Sequence, residues 1–186
     1  MVVKKYMANN VYLVISQTGT VLSRILKLIT KADYNHSSIS LRDDLHCMYS
    51  FGRMNPYNPF WGGFVEESAE WGTFKRFSET KAIVLSLDVG EVSYNSIKNE
   101  ISYMLENRKN FHYNYLALFL ALVKKTVKRK NYYDCSEFVR DILIRNGIES
   151  ARDLPEIIKP IHFLSLPDTK EIYKGKLREF KQTVKN

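Results

Sequence analysis

An α+β domain, with a central antiparallel sheet packed against helices, is the fold class that the sequence predicts. Three observations carry it. Short apolar, β-rich runs recur in the first half of the chain, at 11–16, 36–41, 46–51 and 81–89. Segments with helical spacing dominate the second half, and strands followed by helices, rather than alternating with them, point to α+β. The chain has 186 residues, 45% of them apolar, enough for the sizeable core of one domain over 1–186.

"VYLVIS", 11–16, reads as a buried strand, and "TGT" breaks it. Thr20 is placed to cap a helix over "VLSRILKLITK", 21–31, where Val21, Leu22, Ile25, Leu28 and Ile29 share one face. "HSSISL", 36–41, and "HCMYSF", 46–51, flank "RDDL" and predict a hairpin with a loop of three or four residues. Pairing Leu41 with Leu45 sets His36 opposite Ser50 and Ser40 opposite His46. "GRMNPYNPFWGGF", 52–64, has neither period and reads as a long loop of the kind found beside binding sites.

"KAIVLSLDV", 81–89, predicts another strand, and "EVSYNSIKNEISYMLENR" a helix through Val92, Ile97, Ile101 and Leu105. "YNYLALFLALVKK" is apolar all round and predicts a buried helix. "SEFVRDILIRNG" predicts a helix stopped by Gly147 at C′. Pro155, Pro160 and Pro167 then lead into a charged C-terminal tail, "KGKLREFKQTVKN".

The net charge of +8 favours an anionic partner or simply solubility. Its densest block, "KKTVKRK" at 124–130, reads either as a docking patch for an anionic surface or as a solvated basic helix end. The block contains no interleaved aromatics, so DNA is not an expected partner. The longest apolar stretch, 115–123, falls far short of the roughly 18 residues that span a bilayer. Nothing near Met1 has the pattern of a secretory signal, and a soluble, cytoplasmic protein is expected. Cys47 and Cys135 form no CxxC and are expected to stay reduced. No metal or other cofactor is expected, because no ligand spacing among His36, His46, Cys47 and Cys135 supports a zinc site.

"NYYDCSEFVRDIL", 131–143, puts Cys135 where a turn-prone Asp134 gives way to an amphipathic helix. Unsatisfied N–H groups and the positive end of the dipole favour a thiolate in a first helical turn. Cys135 is therefore either an activated nucleophile or a small buried hydrophobe. A nucleophile needs a base, and His36, His46, His112 and His162 are the candidates. His36 opens a strand just after a turn, where a side chain can face a cleft; spacing alone does not choose among the four. Cys47 alternates with His46 and reads as core.

Two of these stretches resemble a known family. "YDCSEFVRDIL" is similar to the cysteine motif of NlpC-type papain-like thiol hydrolases, and "YNHSSISL" to their histidine strand. Histidine precedes cysteine here, which resembles the circularly permuted branch, the YaeF/YiiX-like amidases, with the lecithin-retinol acyltransferase group more distant. The resemblance spans roughly residues 10 to 146. It implies a permuted papain-like architecture with Cys135 as nucleophile and His36 as general base. It also implies a third polar residue that orients the histidine from the next strand. Ser50 takes that position by register, where relatives usually carry His, Asn, Gln or an acid. A slip of one residue would replace it, and Glu66, Glu67 or a backbone carbonyl are alternatives. A tyrosine near the cysteine helix commonly assists in such sites, which makes Tyr113, Tyr115 and Tyr133 candidates for substrate or oxyanion contacts.

The resulting expectation is a cysteine hydrolase that cleaves an amide or ester through an acyl-thioenzyme, acting on a small-molecule, peptide or lipid-like acyl substrate. An acyltransferase would differ only in the acceptor. The alternative is a non-catalytic module that docks an anionic surface or nucleic acid through 124–130.

Overall fold

The apolar runs of the first half pair side by side. The computed structural model describes residues 9–17, 33–55 and 58–180, and the expected helix over 21–31, with its cap at Thr20, lies outside them. Eight strands form one sheet: β1 (Asn10–Gln17), β2 (His36–Ser40), β3 (Met48–Asn55), β4 (Asn58–Glu67), β5 (Lys81–Asp88), β6 (His112–Tyr113), β7 (Tyr132–Tyr133) and β8 (Thr169–Lys176). Their order across the sheet is β7-β6-β4-β3-β2-β1-β5-β8. Every pairing is antiparallel except β6 with β7. Four α-helices are described: α1 (Gly72–Arg76), α2 (Gly90–Glu106), α3 (Tyr115–Leu122) and α4 (Cys135–Arg145). The protein is a mixed α+β fold.

Period-2 alternation sorts the strands into two faces. Leu13, Ile15, Ile39, Phe51 and Phe64 join one core with Phe138, Val139 and Ile142 of α4 and Ile97 and Ile101 of α2. Val14, Met48 and Val84 face the other way and pack with Phe74 of α1 and Leu177. With both faces covered, all five residues of β2 are buried, polar ones included. Among the described residues no helix is long and apolar enough to cross a membrane.

Several expectations need correction. The β2–β3 register is set by Ile39 opposite Tyr49, two residues beyond the expected pairing. The loop is longer than expected because Ser40 Oγ donates to the Cys47 carbonyl (2.7 Å) and Arg42 ties to Asp44. Those contacts hold 41–47 out of the ladder, so Cys47 is a half-buried loop residue and not a strand core residue. A slip of two preserves side-chain faces, so Ser50 stays on the His36 side. The stretch 52–64 is not a loop: most of it lies in β3 and β4, paired from Met48–Glu67 to Asn55–Asn58. Its glycines hid the period. A Cβ on Gly62 would lie 2.7 Å from the Tyr115 hydroxyl and 3.0 Å from Tyr113 Cβ, so close packing there demands glycine. Part of the charged tail is β8, paired along β5. Helix α3 is not buried, for Leu116 and Phe119 are exposed.

Candidate active site

The site grows from the first residue of β2 and the first residue of α4. Residues Ser37 and Ile39 face α4, and Ser37 Oγ lies 3.2 Å from Ser136 Oγ. His36 and Ser38 point to the opposite side of the sheet, toward Glu67. At the end of the strand the two sides meet, and the Cys135 sulfur is near enough to the His36 ring to raise its pKa. Both side chains are buried.

Glu67, the last residue of β4, receives the other edge of the imidazole. His36 Nε2 is 2.9 Å from Oε2 and 3.1 Å from Oε1 of Glu67. A carboxylate only accepts, so Nε2 carries a proton and donates it to Glu67. Ser38 and Ser50 hydroxyls donate to Glu67 Oε2 at 2.8 and 3.0 Å. Burial opposes charge on both partners, yet attraction wins. The Glu67 charge and the Cys135 thiol push the His36 pKa up to about 10. The His36 cation and the donors from His36, Ser38 and Ser50 hold Glu67 below its ordinary value. Gly52 leaves room for this carboxylate, since a Cβ there would stand 3.1 Å from Glu67 Oε1. The Phe74 ring, 6.1 Å from that of His36, covers the pair.

Helix α4 starts at Cys135 because Asp134 caps it. Asp134 accepts from the N–H groups of Ser136 and Glu137, both at 2.8 Å, and Glu137 Oε2 accepts from the Asp134 N–H at 2.9 Å. This is a reciprocal capping box. Burial, and then the charge of Glu137, push the Asp134 pKa up to about 7. The two donors that Asp134 takes belong to Ser136 and Glu137; the N–H of Cys135 itself, at the first helical position, is part of the positive end of the dipole.

Cys135 borders a cavity of about 370 Å³. Ala117, Leu118, Ala121, Ile157, Ile158 and Pro160 give it an apolar wall, and Lys124, Lys125 and Lys159 stand along it. Asn114 fixes α3 beside it: its Oδ1 accepts from the Ala117 N–H (3.2 Å) and its Nδ2 reaches the Val127 carbonyl (3.2 Å). Arg140 Nη1 donates to the carbonyls of Pro155 and Glu156, both at 3.0 Å, and so holds the far wall against α4.

Tyr113 lines the cavity, and burial followed by the nearby Cys135 sulfur raises its pKa well above the ordinary value, so it keeps its proton as a donor. Tyr115 does not line the cavity; its ring packs 4.6 Å from that of Tyr113. Tyr133 packs 5.1 Å from Phe51 in the main core. Ser50 contacts the site through Glu67, and its Oγ is also 3.3 Å from His36 Nε2. The other histidines lie elsewhere. His46 is 3.7 Å from Glu70 at the surface, His112 stacks near Tyr132, and His162 accepts the Lys159 N–H. Among the described residues no group of three or more His, Cys, Asp or Glu gathers that could hold a metal. Glu67 stood in the sequence only as one of several alternatives. Its signal was the alternation Phe64, Glu66 against Val65, Glu67, which places Glu67 on the face of Ser50 once β3 and β4 pair.

Comparison of the chain with protein-family models, with curated proteins and with solved structures found no match.

Proposed function

We propose that the protein is a cysteine hydrolase of permuted papain-like architecture that cleaves an amide or ester bond through an acyl-thioenzyme. The observation that supports this best is His36, held between the Glu67 carboxylate and the Cys135 thiol at the head of α4. A structural cysteine has no need of a buried imidazole held by a carboxylate that two serine hydroxyls in turn fix.

An imidazolium beside the sulfur favours the thiolate. The thiolate attacks the substrate carbonyl carbon, a C–S bond forms, and the carbonyl oxygen takes the negative charge. In this reading the Cys135 N–H and the Tyr113 hydroxyl, both beside the cavity, receive that oxygen. The C–N or C–O bond then breaks as His36 passes its proton to the leaving group. Water attacks the acyl-thioenzyme while His36 takes back a proton, and the acid leaves with Cys135 restored. Another nucleophile in place of water would make the same site an acyltransferase. Glu67 and Ser50 act through His36 as positioning residues, Glu67 holding the ring and Ser50 holding Glu67. The apolar cavity wall suits a lipid-like or N-acyl group. A free catalytic thiol suits a reducing compartment such as the cytoplasm.

The test uses p-nitrophenyl esters of increasing acyl length. Mass spectrometry is expected to find the acyl group on Cys135, and Cys135→Ala to remove both adduct and turnover. His36→Ala is expected to cut turnover by about 10²–10⁴-fold. Turnover that survives Cys135→Ala would end the proposal.

A further inference from the structure

Helix α3 is apolar at every position, yet one side of it is left to solvent. Its inner side, Ala117, Leu118 and Ala121, walls the Cys135 cavity. On its outer side Leu116 is 46% exposed, Phe119 68% and, one residue past the end, Val123 62%. Spacings of three and four align these residues in one stripe. Contiguous exposed apolar surface marks a partner, because water is a poor neighbour for it.

The chain that follows fixes the chemistry of that partner. Lys124, Lys125, Lys128, Arg129 and Lys130 are all exposed, and 115–130 contains no acidic residue. The Arg129 guanidinium sits 3.6 Å over the Tyr132 ring, which joins a cation to a further aromatic group. Lys124 and Lys125 belong both to this basic run and to the cavity rim. An apolar stripe bordered by cations is what lies in the headgroup layer of an anionic bilayer. A second copy of this chain is a poor occupant, because it would bring the same five cations against the first set.

We propose that α3 and the segment 124–130 dock the protein on an anionic lipid surface, with the apolar stripe in the headgroup region and the cations on lipid phosphates. The Cys135 cavity then opens beside the bilayer. That the cavity draws its acyl group from the bilayer rests on the hydrolase reading; the docking itself does not.

Co-sedimentation with phosphatidylcholine vesicles, with and without phosphatidylglycerol, tests the docking. The protein is expected to bind only the anionic vesicles, and less as salt rises. Reversing Lys128 and Lys130 to Glu weakens binding by at least about fivefold per position. Phe119→Asp weakens it more than about tenfold while leaving Cys135 alkylation and melting temperature unchanged. Cys135→Ser binds as the wild type does, so loss of catalysis and loss of docking are read separately. Equal binding to both vesicle types, no binding to either, or a concentration-dependent dimer that Phe119→Asp dissolves would overturn the proposal.

Discussion

Glu67→Gln is expected to destabilise the protein by about 3 kcal/mol at pH 6, the lower end of what removing one partner from a buried ion pair costs. The substitution keeps the shape and removes the charge that holds the His36 proton. His36 can shed that proton, which keeps the loss from being larger. The pH course follows from the two shifts. His36 is raised to about 10 from its ordinary 6.5, so its contribution is full below about 6.5 and is lost as pH rises through about 10. Glu67 is held below its ordinary 4.5, so its contribution is present above about 4.5 and is lost as pH falls through its lower folded value. The gap in melting temperature between wild type and Glu67→Gln is therefore widest between about pH 5 and 6.5 and closes toward pH 10. A gap that stays constant from pH 5 to 10 would contradict the ion pair.

Phe138→Ala is expected to cost about 3–5 kcal/mol, read as a lower urea midpoint at unchanged slope. Phe138 is fully buried, and its ring lies 5.4 Å from both Phe51 and Phe64. It sits one helical turn after Cys135 and seats α4 on β3 and β4. Truncation leaves a void among rings that cannot close on it without moving strands. Phe138→Leu, which refills most of the volume, should cost only about 1 kcal/mol. A loss below about 1 kcal/mol for Phe138→Ala would mean that α4 is anchored elsewhere.

Much of this was legible in the chain. The strands at 11–16 and 81–89 declare themselves as short apolar runs, because both faces of each are covered, and the helices after 90 and 135 by period, because each buries one apolar stripe. Cys135 was placed at the head of its helix by Asp134 and by the apolar spacing from Phe138 onward. His36 was one of four candidate histidines until the resemblance of "YNHSSISL" to a known histidine strand selected it. What stayed hidden has physical causes. Gly52, Gly62 and Gly63 remove side chains just where tyrosines, Met54 and Glu67 press on the sheet, so β3 and β4 lost their alternation. Without a legible β3–β4 pairing, the short alternation from Phe64 to Glu67 could not be set against the face of Ser50. Loop contacts of Ser40 and Arg42 lengthened the first hairpin and shifted its register by two. The composition of α3 is that of a buried helix, and no property of its own sequence reveals that only one side is covered.

The central claim is that Cys135 and His36 act as one chemical unit. The rate of iodoacetamide alkylation at Cys135 from pH 5 to 9, in a Cys47→Ser background with and without His36→Ala, tests it most directly. A coupled pair predicts an alkylation rate at the acid end of this range that falls more than about tenfold when His36 is removed. The same rate and pH course in both proteins would mean that the imidazole does not act on the sulfur, and that Cys135 is a structural thiol.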